Sequence, residues 1–95
     1  MREKLSSLKI RNDTLQSANK WQKPTPEEIR EVIRLTGLNG AEVAELLGLT
    51  PQGNKSGGGS RTVRRWTAGD VPIPYAAWAI LAHVAGFGSI WVADE

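Results

Sequence analysis

The apolar positions of this chain recur in short helical bursts separated by glycine and proline. Over residues 25–36, Ile29, Val32 and Ile33 fall at helical spacing. Thr25 stands ahead of them as an N-cap, Pro26 occupies the first helical position, and Glu28 completes a capping box. Gly37 suits the left-handed position that stops such a helix, and Leu38 can fold back on its last turn. Residues 40–47 predict a second, shorter helix. Asn39 caps it with Glu42 three residues on, while Val43, Ala44, Leu46 and Leu47 form its apolar face. Glu42 and Glu45 point outward, and Gly48 ends the helix. Two helices joined by Gly37-Leu38-Asn39 must turn sharply against each other.

Residues 50–59, Thr-Pro-Gln-Gly-Asn-Lys-Ser-Gly-Gly-Gly, predict a loop, since four glycines and a proline in ten residues hold neither helix nor strand. Ser60 then predicts the N-cap of a third helix running to about Ala68, with Gly69 as its stop. Val63 and Trp66 are its only large apolar residues and define one inward direction. Arg61, Arg64 and Arg65 fan out over the opposite face. A helix this short and this charged must be held from one side by Val63 and Trp66. Residues 74–85 predict a fourth helix, opened by Pro74 and ended by Gly86 and Gly88. Tyr75, Trp78, Leu81, Ala82 and Ala85 make its core face. Ile90, Trp91 and Val92 form a final apolar cluster that either closes the core or supports self-association.

Residues 1–24 carry a loose stripe of Leu5, Leu8, Leu15, Ala18 and Trp21, diluted by serine and asparagine. They predict either a mobile basic arm or a helix that orders only against the body or a partner. No segment carries a strand pattern. The expectation is a compact all-α domain of four or five helices over residues 25–92, preceded by the arm and interrupted by the 50–59 loop.

Composition narrows the function. Ninety-five residues give one domain with a small core. With no cysteine and one histidine, disulfides are impossible and a structural zinc site lacks its ligands. No apolar run approaches the roughly 20 residues that span a bilayer, and no signal-peptide stretch opens the chain. A cytoplasmic protein with no membrane partner is expected. The formal net charge is only +2, but it is unevenly spread. Residues 1–24 hold six Lys/Arg and two acids, and residues 25–49 hold two Arg and five Glu. Residues 50–70 hold four Lys/Arg and Asp70, and residues 71–95 hold only Asp94 and Glu95. Such polarity matters more than the total for an anionic partner.

Helix, tight turn, short helix, then an Arg-rich helix is the layout of a helix-turn-helix DNA reader. A helix entering the major groove must be narrow, project long hydrogen-bonding side chains and be braced from behind. Arg61, Arg64 and Arg65 are the projecting side chains, and Arg is the commonest reader of guanine. Ser60 and Thr62 can reach phosphate or a base edge near the helix start, and Asn39 can fix register on a phosphate. Lys55, Ser56 and the amides of Gly57-Gly58-Gly59 either grip the sugar-phosphate backbone or belong to a disordered loop. Arg2, Lys4, Lys9, Arg11, Lys20 and Lys23 either track phosphate or solubilise the arm. Alone, an arginine face is usually a solvated face; the preceding helix pair gives it weight.

Here the sequence resembles the Cro/C1-type (Xre-like) helix-turn-helix regulators of bacteria and phages. The residues that carry the resemblance are Gly37-Leu38-Asn39-Gly40-Ala41-Glu42-Val43-Ala44-Glu45-Leu46-Leu47-Gly48-Leu49 and Ser60-Arg61-Thr62-Val63-Arg64-Arg65-Trp66-Thr67-Ala68-Gly69. The Ile73-Pro74 start of the next helix also looks like the family, and the likeness covers about residues 26–86. It implies a lambda-repressor-like fold and repression of transcription through sequence-specific binding of double-stranded DNA. It also implies a homodimer on a palindromic operator. Two departures stand out. The distance from Ala44 to Val63 is wider than in the family by the length of the Gly-rich loop. Thr67 stands where the family commonly has Glu, which removes a usual structural hydrogen bond or ion pair.

Other readings are weaker. Gly48 and Gly53 have the separation of a nucleotide-binding loop, but Asn54 intrudes before Lys55-Ser56 and no strand precedes it. Trp66 and Trp78 sit at core spacing, whereas Trp21 and Trp91 are as suited to docking as to a core. His83 has no carboxylate or nucleophile partner at useful spacing. Glu27, Glu28, Glu31, Glu42 and Glu45 read as cap and surface residues. No enzyme, cofactor, metal or small-molecule substrate is expected. The rival is a small helical protein-interaction module, a phage inhibitor of a host protein or an antitoxin. The arm and the Ile90-Trp91-Val92 tail favour it.

Overall fold

Thr25 opens the first helix as its sequence context dictates. Its side-chain oxygen accepts from the Glu28 amide at 3.1 Å, and Glu28 Oε1 accepts from the Thr25 amide at 2.7 Å. Asn39 and Glu42 repeat the arrangement at the second helix, at 2.8 and 2.9 Å. Two reciprocal boxes, between Thr25 and Glu42, satisfy helix-start amides that would otherwise lack partners.

The computed structural model describes residues 10–49 and 58–92, and of residues 58–60 the backbone alone. Among the described residues there are four α-helices and no strand: α1 (Pro26–Thr36), α2 (Gly40–Leu46), α3 (Gly58–Ala68) and α4 (Tyr75–Ala82). A π-turn, His83–Phe87, continues α4, and two single-turn 3-10 helices, Asn12–Thr14 and Ala18–Lys20, precede α1. The small all-helical domain expected from the hydrophobic pattern is the fold observed. α2 packs chiefly on α3, and α1 lies against α3, α4 and the π-turn.

The core is built around Trp78 and Leu81 of α4, Val32 of α1 and Val43 of α2, all wholly buried. Burying an indole removes roughly 200 Å² from water, on the order of 5 kcal/mol as an upper figure. Ile29, Val63, Trp66, Ile73, Phe87 and Ile90 complete the core.

Residues 10–24 belong to this body. Ile10 and Leu15 are buried in the same cluster. The Trp78 Nε1 donates to the Thr14 carbonyl at 2.6 Å, and the Tyr75 hydroxyl donates to the Gln16 carbonyl at 2.9 Å. The Trp21 and Tyr75 rings meet edge to face, with centroids 5.1 Å apart. Of the alternatives for this segment, residues 10–24 order against the body, but as 3-10 turns and extended chain. Within residues 10–24, Leu15 and Trp21 each follow a single 3-10 turn and share no continuous helix. Residues 1–9 lie outside the described residues.

Four boundaries and assignments differ from the sequence reading. α3 begins at Gly58, so Ser60 lies within its first turn and is not its cap. Glycines are tolerated there because first-turn amides need no partner inside the helix. The fourth helix gives way to the π-turn after Ala82, where Gly86 at φ 108° bends the chain. Leu46, assigned to the apolar face of α2, is exposed, because the helix ends there and Leu47 turns inward. Glu28, grouped with the cap and surface glutamates, caps α1 as expected but is only 4% exposed.

Candidate nucleic-acid interface

The site is built on α3. Val63 and Trp66, three residues apart, are buried at 3% and 4% exposure, and they fix which face of the helix turns outward. Arg61, Arg64 and Arg65 stand at i, i+3 and i+4 on the remaining face and are exposed. The three arginines line one open depression together with Thr67, Ala68 and Asp70. Asp70 marks the end of the cationic surface, because a carboxylate repels phosphate. The brace and the projecting arginines therefore occupy opposite sides of one helix.

The remaining predicted residues divide. Thr62 is half-buried on α3, one position from Arg61. Ser60 lies on the backbone of the first turn. Asn39 is exposed at the start of α2, but its Oδ1 is engaged by the Glu42 amide. Its Nδ2 is the group left to donate to a phosphate. Lys55 and Ser56 lie outside the described residues. Arg11, counted with the basic arm, is engaged in an ion pair with Glu28 and donates to the Lys23 carbonyl at 2.9 Å.

Two contacts that the sequence reading missed set the attitude of α3. The Arg30 guanidinium donates to the Thr67 carbonyl at 2.5 Å, tying the C-terminal turn of α3 to α1. Thr67 thus makes its tie to α1 through its backbone carbonyl, and its own hydroxyl donates to the Arg64 carbonyl at 3.0 Å. Next to it, Gly69 at φ 84° packs so tightly that an added Cβ would lie 3.0 Å from Pro26 Cγ. The Gly69 turn also closes with the Asp70 amide on the Arg65 carbonyl at 2.9 Å. No spacing rule links residue 30 to residue 67, so only the folded chain reveals the contact.

At the start of α1, Glu28 is held by Arg11 and Thr25. Burial pushes its carboxyl upward, but hydrogen bonds from the Arg11 side chain and from the Arg11 and Thr25 amides outweigh this and hold it below the usual range. The partly buried Glu31 is engaged by the exposed Arg34 at 2.6 Å within α1. No helix among the described residues is long and apolar enough to cross a membrane.

No family model and no solved structure matches the chain. Two curated proteins do, both named transcriptional repressor protein KorC, from Escherichia coli. One is 51% identical over 82 residues, covering 86% of this chain and 89% of that protein. The other is 51% identical over 87 residues, covering 92% of this chain and 95% of that protein. At that identity over nearly the whole length of both partners, the all-helical chain with its outward arginine helix belongs to the KorC family of transcriptional repressors.

Proposed function

We propose that this protein represses transcription by sequence-specific binding of double-stranded DNA, with α2 and α3 acting as a helix-turn-helix of the Cro/C1 type. The Gly-rich segment is an insertion between the two helices. α3 enters the major groove, where Arg61, Arg64 and Arg65 read base edges or clamp phosphates. Ser60, Thr62 and Asn39 fix the register on the sugar-phosphate backbone, joined by Lys55 and Ser56 from the insertion. The protein acts as a homodimer, which places two copies of α3 in successive major grooves, roughly 34 Å apart, on a palindromic operator.

The observation that carries this reading is the division of α3. Its buried side holds Val63 and Trp66, and its open side holds three exposed arginines that line one depression. The repressor names of the two relatives agree with it. A selection of bound duplexes from a random pool tests it. An enriched inverted repeat is the expected result, and a pool without any enriched motif would overturn it. Binding should also weaken steeply with salt, since each neutralised phosphate releases condensed counterions.

A further inference from the structure

The geometry points to Asp70 as a specificity-determining residue. Its carboxylate penalises seating of α3 on phosphate and selects a base pair that offers an exocyclic amino group in the major groove. The inference rests on the operator reading above. Asp70 is the only acid between Glu45 and Asp94. It is exposed, and it lines the same open depression as Arg61, Arg64 and Arg65. Among the described residues its carboxylate is in no ion pair, so no neighbouring side chain neutralises it. Its backbone is held in place. The Asp70 amide donates to the Arg65 carbonyl at 2.9 Å, and the Val71 amide donates to the same oxygen at 3.4 Å. Gly69 supplies the φ of 84° that this turn needs and abuts Pro26. Arg30 holds the Thr67 carbonyl just before it. The carboxylate therefore meets a duplex together with the arginines, not after them.

Two ways of meeting DNA separate these charges differently. When α3 lies along the backbone, its arginines bond phosphates, and the carboxylate fixed beside them is brought against phosphate as well. Like charges repel there, over a reach of about 10 Å at 0.1 M salt. When α3 is seated in the groove, the arginines reach base edges instead. A carboxylate at a base edge is an acceptor in need of a donor, and an acceptor left unpaired away from water is costly. Cytosine N4 and adenine N6 are the amino donors that the major groove displays. Sequences that lack such an amine opposite Asp70 are thus rejected along with the bare backbone. Specificity is a difference of affinities, and an unpaired charge set against the wrong partner widens it as a new contact to the right one does. Thr67 and Ala68, which complete the depression, are uncharged, so within it Asp70 alone supplies the penalty.

The test uses the full chain with Asp70→Asn, which removes the charge, and Asp70→Ala, which removes the acceptor too. Asp13→Asn is the control for net charge, since Asp13 is exposed beside Thr14, on the segment bonded to Trp78 of α4. The probes are the duplex that the wild type selects from a random pool and a mixed-sequence duplex of equal length. Each is titrated at about 0.05 and 0.2 M salt. Both Asp70 variants should bind the mixed duplex roughly fivefold more tightly at the lower salt and gain less at the higher. On the selected duplex the gain should stay below about twofold, because the lost amine contact offsets the lost repulsion. Asp13→Asn should change neither. A second selection with Asp70→Ala should lose the preference for cytosine or adenine at one position of each half-site. Unchanged affinities, equal gains on both duplexes, a matching gain from Asp13→Asn, or an unchanged motif would each overturn the proposal. A wild type that selects no duplex overturns the operator reading and this inference with it. A wild type that selects one, with Asp70 variants that keep its motif and preference, overturns this inference alone.

Discussion

Arg11 and Glu28, 17 residues apart, meet fork to fork: Nε donates to Oε2 at 2.8 Å and Nη2 to Oε1 at 2.9 Å. The Arg11 amide adds a third bond to Oε2 at 3.0 Å. One carboxylate therefore caps α1, fastens the segment before it and stands nine-tenths buried. These bonds raise the Arg11 pKa, the side-chain bond to Glu28 contributing most.

Glu28→Gln should destabilise the fold by about 1–3 kcal/mol at neutral pH, less than for a fully buried pair because Arg11 is half exposed. The wild type should carry a matching acid dependence. The folded pKa of Glu28 is lowered, so its stabilisation is complete above the unfolded value of about 4.3 and fades as pH falls through the lower folded value. Urea midpoints from neutral pH into acid would check this. A Gln variant with the acid slope of the wild type would contradict it.

Trp78→Phe should cost about 2–4 kcal/mol, combining lost volume with a Thr14 carbonyl stripped of its donor. Tyr75→Phe removes only the bond to the Gln16 carbonyl, and about 0.5–1.5 kcal/mol is expected. Thermal unfolding of the two variants should rank them in that order. The reverse order would mean that residues 10–24 are held mainly through Tyr75.

Arg61→Ala and Arg65→Ala should each cost about 1–3 kcal/mol at the cognate operator where the side chain makes a bidentate guanine contact. Titration of cognate and random duplex at fixed salt separates the roles. Loss confined to the cognate sequence marks base reading, whereas equal loss on both marks a phosphate contact. The midpoint of unfolding should move by no more than about 0.5 kcal/mol, since both side chains are exposed.

In the proposed interface, Arg30 is a positioning residue that acts through Thr67. Its guanidinium is about half exposed, so Arg30→Ala should lower stability by no more than about 1 kcal/mol. Operator affinity should fall further than that, because the end of α3 loses its tie to α1 at Thr67. Arg30→Lys should restore part of the affinity by reaching the same carbonyl. Affinity and stability falling in step would leave Arg30 a purely structural residue.

The parts of the fold legible in the sequence are those whose causes are local. Thr25 with Glu28, and Asn39 with Glu42, announce helix starts because a capping box closes within three residues. Val63 and Trp66 announce their own burial, and hence the outward face of α3, because a helix repeats every 3.6 residues. Residues 10–24 carry no such signal, since single 3-10 turns leave no period to count.

What the tertiary structure alone decided are the bonds between distant residues. Arg11 to Glu28, Trp78 to Thr14 and Arg30 to Thr67 are separated by 17, 64 and 37 positions, and no spacing rule encodes them. The same holds for the tail, where Ile90 turns inward while Trp91 and Val92 remain in water. All three are apolar, so composition ranks them alike. Their sorting depends on how much core volume α1, α4 and the π-turn leave unfilled, which becomes definite only when those elements pack.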